Sequence, residues 1–180
     1  MRKWLILGIL LLGFLLRSYD LYSYPSGFTP DEASFGYDAY SILKTGRDQW
    51  GRQFPLVLES FGDFKPPLYA YVLVPSVAVF GLNKFAVRFP NALIGTLAVF
   101  VTYLMAREIF REFRGGVFAK KERVIAKITA TLLALSPWHV MLSRGAFEAN
   151  LTTLLTPFAV YLFLKGLRSR RMLILSAFVF

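Results

Sequence analysis

The sequence predicts an all-α, polytopic membrane protein with a large external first loop that contains juxtamembrane helices. Three observations predict it. The 180 residues are 56% apolar and 17% aromatic, with a mean hydropathy of +0.50, which is too apolar for an ordinary water-soluble domain. Apolar runs recur at Trp4–Leu16, Leu68–Leu82, Phe89–Ala106, Ile128–Ser143, Ala149–Leu164 and Met172–Phe180. The formal charge of +10, from 21 Lys/Arg and 11 Asp/Glu, is gathered in clusters beside those runs. The 18 Phe, 9 Tyr and 3 Trp exclude disorder, and the lack of cysteine excludes a disulfide framework and a thiolate metal site.

The charges assign sides. Residues 107–127 hold seven Lys/Arg against three Glu, residues 165–180 hold four Lys/Arg and no acid, and Arg2, Lys3 and Arg17 flank the first run. Residues 18–65 reverse the balance, with four Lys/Arg against seven Asp/Glu. Basic clusters in short segments between apolar runs follow the positive-inside pattern. A nucleic-acid surface would need a continuous basic face on a soluble fold, so no nucleic-acid partner is expected.

A first span is expected at 4–22, ending in a belt of Tyr19, Tyr22 and Tyr24. No small-x-small cleavage site follows Leu16, so the run reads as an uncleaved signal anchor. Residues 23–88 form the external loop. Within it Ala33, Tyr37, Tyr40 and Leu43 recur at helical spacing, with Gly46 after them, which predicts an amphipathic helix from about 30 to 45. Leu68–Leu82 reaches only about 22 Å as a helix, against roughly 30 Å of hydrocarbon, and carries Pro75. If it crossed the membrane, the two later basic clusters would face outward, so it is expected to lie on the outer surface. Further spans are expected at 89–106, 124–143, 150–164 and 172–180, with a basic cytoplasmic hairpin between the second and third. The last run stops after nine residues, which reads as the N-terminal part of one longer membrane-embedded domain.

The acids outside carry the candidate chemistry. Thr29, Pro30 and Glu32 compose a capping box, and acids in a first turn suit the helix dipole. The same adjacent pair, Asp31 and Glu32, could instead serve as a general base or bind a divalent cation. Lys65, fixed by Pro66 and Pro67, reads either as an interfacial lysine or as a cation for a lipid phosphate. Arg88 and Arg144 stand at external ends of spans, where positive-inside logic makes them exceptions. Glu148, four residues after Arg144, fits a helical ion pair with it. His139, the single histidine, reads as a packing residue beside Trp138. The sequence contains no nucleophile elbow, Gly-rich phosphate loop or nucleotide-binding fingerprint.

Pro30-Asp31-Glu32, Lys65-Pro66-Pro67-Leu68, the stretch from Phe80 to Pro90, and Leu135-Ser136-Pro137 followed by Ser143-Arg144 occur in that order over residues 1–170. Together they resemble membrane-embedded glycosyltransferases of the GT-C type, in particular the protein O-mannosyltransferase and aminoarabinose transferase group. The resemblance implies a catalytic domain in a prokaryotic plasma membrane, with a polyprenyl-phosphate-linked sugar as donor, a protein, lipid or glycan as acceptor, and inverting transfer on the extracytoplasmic face. It implies Asp31, with Glu32, as the acidic catalytic residues and Lys65, Arg88 and Arg144 as cations for the donor phosphate. That group often has an Asp five residues after the arginine of Ser-Arg. Here Ala149 occupies that place and Glu148 precedes it as a supporting acid, which leaves the use of a divalent cation open. The competing class is a non-enzymatic polytopic protein, a transporter or assembly platform. Transporters carry ionisable groups near the bilayer midplane, and these runs hold almost none.

Overall fold

A computed structural model describes residues 3–112 and 121–180. Its helices are α1 (Lys3–Ser18), α2 (Pro30–Thr45), α3 (Leu68–Phe80), α4 (Lys84–Glu112), α5 (Glu122–Leu135), α6 (Pro137–Arg144), α7 (Ala149–Gly166) and α8 (Arg170–Val179). A short hairpin, β1 (Leu58–Ser60) and β2 (Asp63–Lys65), lies between α2 and α3. The described fold is mostly helical, and this hairpin is an addition to the all-α expectation. Its strands pair antiparallel with Leu58 opposite Lys65, and Phe61 and Gly62 turn between them with φ of 52° and 80°. Two positive φ values match the twist of a two-residue hairpin, but phenylalanine rarely takes one, so the pattern gives little warning.

α4 is the axis, in contact with α1, α3, α5, α6 and α7. With 29 residues it is the one described helix long and apolar enough by itself to cross a membrane. α5 and α6 reach that standard only as a pair bent by 58°. The other expected spans are helices of more modest length. α1 stops at Ser18 rather than residue 22, and Asp20 beyond it adopts φ 44°, which takes the chain out of the helical region. Residues 113–120, part of the expected basic hairpin, lie outside the described residues.

The break between α5 and α6 interrupts what the sequence predicts as one span, and its cause is local. Pro137 has no N–H to donate to the Leu133 carbonyl, and the new helix leaves the Ala134 carbonyl without its partner as well. Arg17 reaches across from α1 to replace both donors, with Nη2 3.2 Å from the Leu133 oxygen and Nη1 3.0 Å from that of Ala134. Its Nη2 also donates to His139 Nδ1 at 2.8 Å. Arginine only donates, so the proton of His139 is on Nε2, facing Thr153 Oγ1 at 3.2 Å. Pro90 in α4 poses the same problem, and Ser76 of α3 donates to the Ala86 carbonyl at 2.7 Å.

Small residues set the spacing. Ala126, Ala130 and Ala134 form one buried face of α5, which lets it approach α4 and α1 closely. Asn150 of α7 donates to the Asn91 side chain at 2.8 Å, and Asn91 donates to the carbonyls of Leu142 and Gly145, so α4, α6 and α7 share one polar knot. The main apolar core sits beside it, where Phe35, Leu58, Tyr69, Leu73, Val87 and Ala146 join α2, β1, α3, α4 and the α6–α7 turn.

Gly95 marks the tightest crossing, since a Cβ there would lie 2.1 Å from Ser143 Oγ and 2.5 Å from Ser143 Cβ. Gly95→Ala is therefore expected to lower stability by about 1–3 kcal/mol through overpacking. Thermal unfolding in detergent should show Ser143→Gly restoring part of that loss in the double variant, whereas additive losses would place the strain elsewhere.

Candidate active site

The site grows from one helix start. Thr29 takes an extended backbone, its Oγ1 accepts from Glu32 N at 3.2 Å, and Glu32 Oε2 accepts from Thr29 N at 3.0 Å. This capping box places Asp31 and Glu32 in one turn, where successive side chains point about 100° apart. The two carboxylates accordingly diverge.

Glu32 turns inward. Its Oε1 accepts from Arg88 Nε at 2.7 Å and from Ala146 N at 3.1 Å, and its Oε2 from Arg88 Nη2 at 3.0 Å. Burial alone would raise this carboxyl, but the Arg88 guanidinium and the Thr29 and Ala146 amides outweigh it and hold it below the usual carboxylate range. Arg88 spends its remaining N–H groups on the carbonyls of Leu21 (3.0 Å), Pro25 (2.9 Å) and Gly27 (2.8 Å). Arg144 likewise donates to the carbonyls of Leu16 (2.8 Å), Tyr19 (2.6 Å) and Tyr24 (3.1 Å). These partners explain why two arginines stand at these helix ends. Both clasp the irregular connection between α1 and α2.

Asp31 turns outward, with 53% of its side chain exposed, and is in direct contact with Lys65 Nζ. Lys65 is only 6% exposed and its ammonium lies 5.1 Å from the centre of the Phe35 ring. An ammonium has three N–H groups, and among the described residues Lys65 makes no hydrogen bond besides that to Asp31. β2 delivers Lys65 to this position, and Gln49 fastens the preceding loop to α2 by donating to the Glu59 carbonyl at 3.0 Å, with its own N–H on Asp38 Oδ1 at 3.0 Å. Burial raises the Asp38 carboxyl, as does the neighbouring Asp48.

One reading of the sequence needs correction. Arg144 and Glu148 form no helical pair, because Gly145 takes an extended backbone between them and ends α6. Glu148 lies half-buried at the start of α7 with no ion-pair partner among the described residues. Asp31 and Glu32 face different partners. One is paired with Lys65, the other has four donors already, and no three His, Asp or Glu among the described residues form a metal-binding group. Arg17, Gln49, Asn91 and Asn150 were not singled out from sequence. The last two carried a signal, being amides beside or within apolar runs.

A cleft of about 350 Å³ opens behind the Glu32–Arg88 pair, walled by Pro25, Trp138, Met141 and Phe147, with Thr29 on its polar side. The site residues sit at one end of α4. At the other end Glu108 pairs with Lys165 (3.5 Å), Glu112 with Arg168 (2.5 Å) and Arg107 with Glu122 (3.5 Å). Arg88 and Glu112 are roughly 36 Å apart along α4 at about 1.5 Å per residue.

A family model described as dolichyl-phosphate-mannose-protein mannosyltransferase matches residues 64–180. Lys65, Arg88, Arg144 and Glu148 fall within the matched residues, and Asp31 and Glu32 precede them. The chain is 33% identical over 118 residues, 63% of its length, to undecaprenyl phosphate-α-4-amino-4-deoxy-L-arabinose arabinosyl transferase 2 of Pseudomonas fluorescens, covering 20% of that protein. It is 28% identical over 122 residues, 66% of its length, to the polyprenol-phosphate-mannose–protein mannosyltransferase of Mycobacterium tuberculosis, covering 22% of it. An uncharacterized protein of Aquifex aeolicus is 30% identical over 109 residues, 61% of the chain and 20% of that protein. The chain thus spans about a fifth of the length of these relatives. No solved structure matches it.

Losing either member of the buried pair leaves the other charge stranded, which costs about 3–5 kcal/mol. Arg88→Lys keeps the charge but not the five N–H groups, so it should be destabilised nearly as much as Glu32→Gln in thermal unfolding. Because the folded Glu32 carboxyl lies below its unfolded value of about 4.3, its contribution is complete above that pH and fades as pH falls through the folded value. An acid titration should therefore be steeper for the parent chain than for Glu32→Gln.

Proposed function

This chain belongs to the dolichyl-phosphate-mannose-protein mannosyltransferase family, and on that premise we propose that it supplies the base and phosphate-binding residues of a membrane glycosyltransferase. The donor is a sugar on a polyprenyl phosphate, the acceptor a nucleophile on a protein, lipid or glycan, and transfer occurs on the extracytoplasmic face of a prokaryotic plasma membrane. The observation that carries this reading is the contact between exposed Asp31 and buried Lys65.

In the proposed reaction Asp31 takes the proton of the acceptor nucleophile as that atom forms its bond to the anomeric carbon. The bond from that carbon to phosphate oxygen breaks, the electron pair stays on the phosphate, and Lys65 neutralises it. Attack from the face opposite the phosphate inverts the carbon and needs no covalent enzyme intermediate. Before the donor arrives Asp31 itself occupies Lys65, so a phosphate must take the lysine over, and in doing so it frees the base. Arg88 and Arg144, whose bonds hold the α1–α2 connection, act on the donor only as fixed positive charges nearby. Glu148 remains the supporting acid at the start of α7.

The sidedness has its own support. Residues 23–88 gather at the end of α4 that carries the site, and the basic termini of α4, α5 and α7 gather at the other, about a bilayer apart. In this proposal α1, α4, the bent α5–α6 pair, α7 and α8 cross the membrane, with α3 against its outer surface.

Asp31→Asn should lower transfer from a polyprenyl-phosphate sugar by about 10²–10⁴-fold while leaving helix content unchanged. Normal turnover would reduce the residue to a helix cap. Lys65→Arg should retain more activity than Lys65→Met. Asp63→Cys should react with a membrane-impermeant thiol reagent from outside, and Phe118→Cys, outside the described residues, only after the membrane is opened. Reaction of position 118 from outside would reverse the topology.

A further inference from the structure

α7 and α8 pack against each other around an apolar groove of about 590 Å³ to which nothing above assigns a role. Val160 and Phe163 line it from α7, and Leu173, Ala177 and Phe180 from α8. The one polar lining residue is Ser176, and its hydroxyl donates to the Ala159 carbonyl at 2.8 Å, so the walls offer hydrocarbon. The two helices approach closely at their turn, where a Cβ on Gly166 would lie 2.6 Å from Leu173 Cγ. Leu173, Ala177 and Phe180 follow the i, i+4, i+7 spacing of one helix face, and Arg170, three residues before Leu173, begins the same stripe. That face of α8 therefore runs from an exposed guanidinium into the groove, over roughly 4.5 Å from Arg170 to Leu173.

The connection between the two helices is basic. Residues 149–180 contain Lys165, Arg168, Arg170 and Arg171 and no acid. The carboxylates that face this end come from α4 and are already taken: Glu108 pairs with Lys165 at 3.5 Å and Arg111 at 3.8 Å, and Glu112 with Arg168 at 2.5 Å. Arg170 and Arg171 are exposed, and among the described residues neither has an ion pair. Both stand in the first turn of α8, where the helix dipole disfavours a cation, and Ser169 places no side-chain oxygen on the first amides. Two cations kept at such a place call for an anion beside them. A free anion would leave the groove without a role, and an uncharged lipid would leave the arginines without one. An anionic phospholipid answers both, since guanidinium groups take phosphate oxygens in pairs and the groove takes an acyl chain. The place is remote from the candidate active site, because Glu112, the partner of Arg168, is roughly 36 Å along α4 from Arg88.

We propose that the α7–α8 groove seats an anionic phospholipid of the surrounding bilayer, with its phosphate on Arg170 and Arg171 and one acyl chain along Phe163, Leu173 and Ala177. The test reads binding and needs no turnover, so its outcome is independent of the proposed reaction. The full-length protein is placed in phosphatidylethanolamine nanodiscs with a trace of phosphatidylglycerol that carries a diazirine on an acyl chain. After irradiation the labelled peptides are mapped. Label is expected within residues 159–180, and excess unlabelled phosphatidylglycerol should compete it away. A phosphatidylethanolamine probe with the same diazirine chain should label that stretch far less. Arg170→Gln should lower the phosphatidylglycerol label about fivefold and the double variant with Arg171→Gln about 25-fold, both with unchanged helix content. Arg170→Lys with Arg171→Lys should keep most of it, and Ala177→Trp should lower it with both arginines intact. Label that falls on other helices and misses residues 159–180 would mean that another part of the chain or a second copy covers the groove, and overturns the proposal. So does label that survives the loss of both arginines, or equal labelling by the phosphatidylethanolamine probe, either of which reduces the groove to ordinary lipid contact.

Discussion

Glu32 and Arg88 are both all but inaccessible, and each meets the other through two parallel hydrogen bonds. Removing two charges from water is costly, and a pair repays that cost only when its remaining hydrogen-bonding capacity is filled. Here it is filled from three directions: the start of α2 through Thr29, the α6–α7 turn through Ala146, and the α1–α2 connection through three carbonyls. The pair belongs to stability and to geometry at once. Because Glu32 is committed inward, the turn it belongs to is fixed, and Asp31 is left facing Lys65.

The same economy of donors recurs at three other places where a helix breaks or ends. Backbone carbonyls freed in an apolar setting need partners, since no water replaces the lost N–H. Arg17 serves the break before Pro137, Ser76 serves the one at Pro90, and Arg144 serves the carbonyls at the end of α1. Each donor comes from a different helix than the carbonyl it satisfies. Interruptions that would weaken isolated helices are thereby converted into ties between them, and the bent α5–α6 pair is held against α1 by the residue that repairs it.

What the sequence made legible was local. Thr29, Pro30, Glu32 and Gly46 mark both ends of α2, because capping chemistry acts within four residues. Hydropathy found the positions of the helices, yet it carried across Ser136-Pro137 without a pause, since the residues on both sides are apolar. The different fates of Asp31 and Glu32 were not legible, because they depend on Arg88, 56 residues away from Glu32, and on Lys65, 34 away from Asp31. Arg88 and Arg144 did stand out as exceptions to the expected charge pattern, and their carbonyl partners give them a local role.

The clasp on the α1–α2 connection also has a temporal side. Leu21 obtains its Arg88 partner 67 residues later in the chain, and Tyr24 obtains its Arg144 partner 120 residues later. At about 5–20 residues per second, a ribosome needs roughly 6–24 s to make the longer interval. During that time the carbonyls of Leu16, Tyr19 and Tyr24 are without their Arg144 donor. The end of α1 thus acquires its last bonds only after α6 has been made.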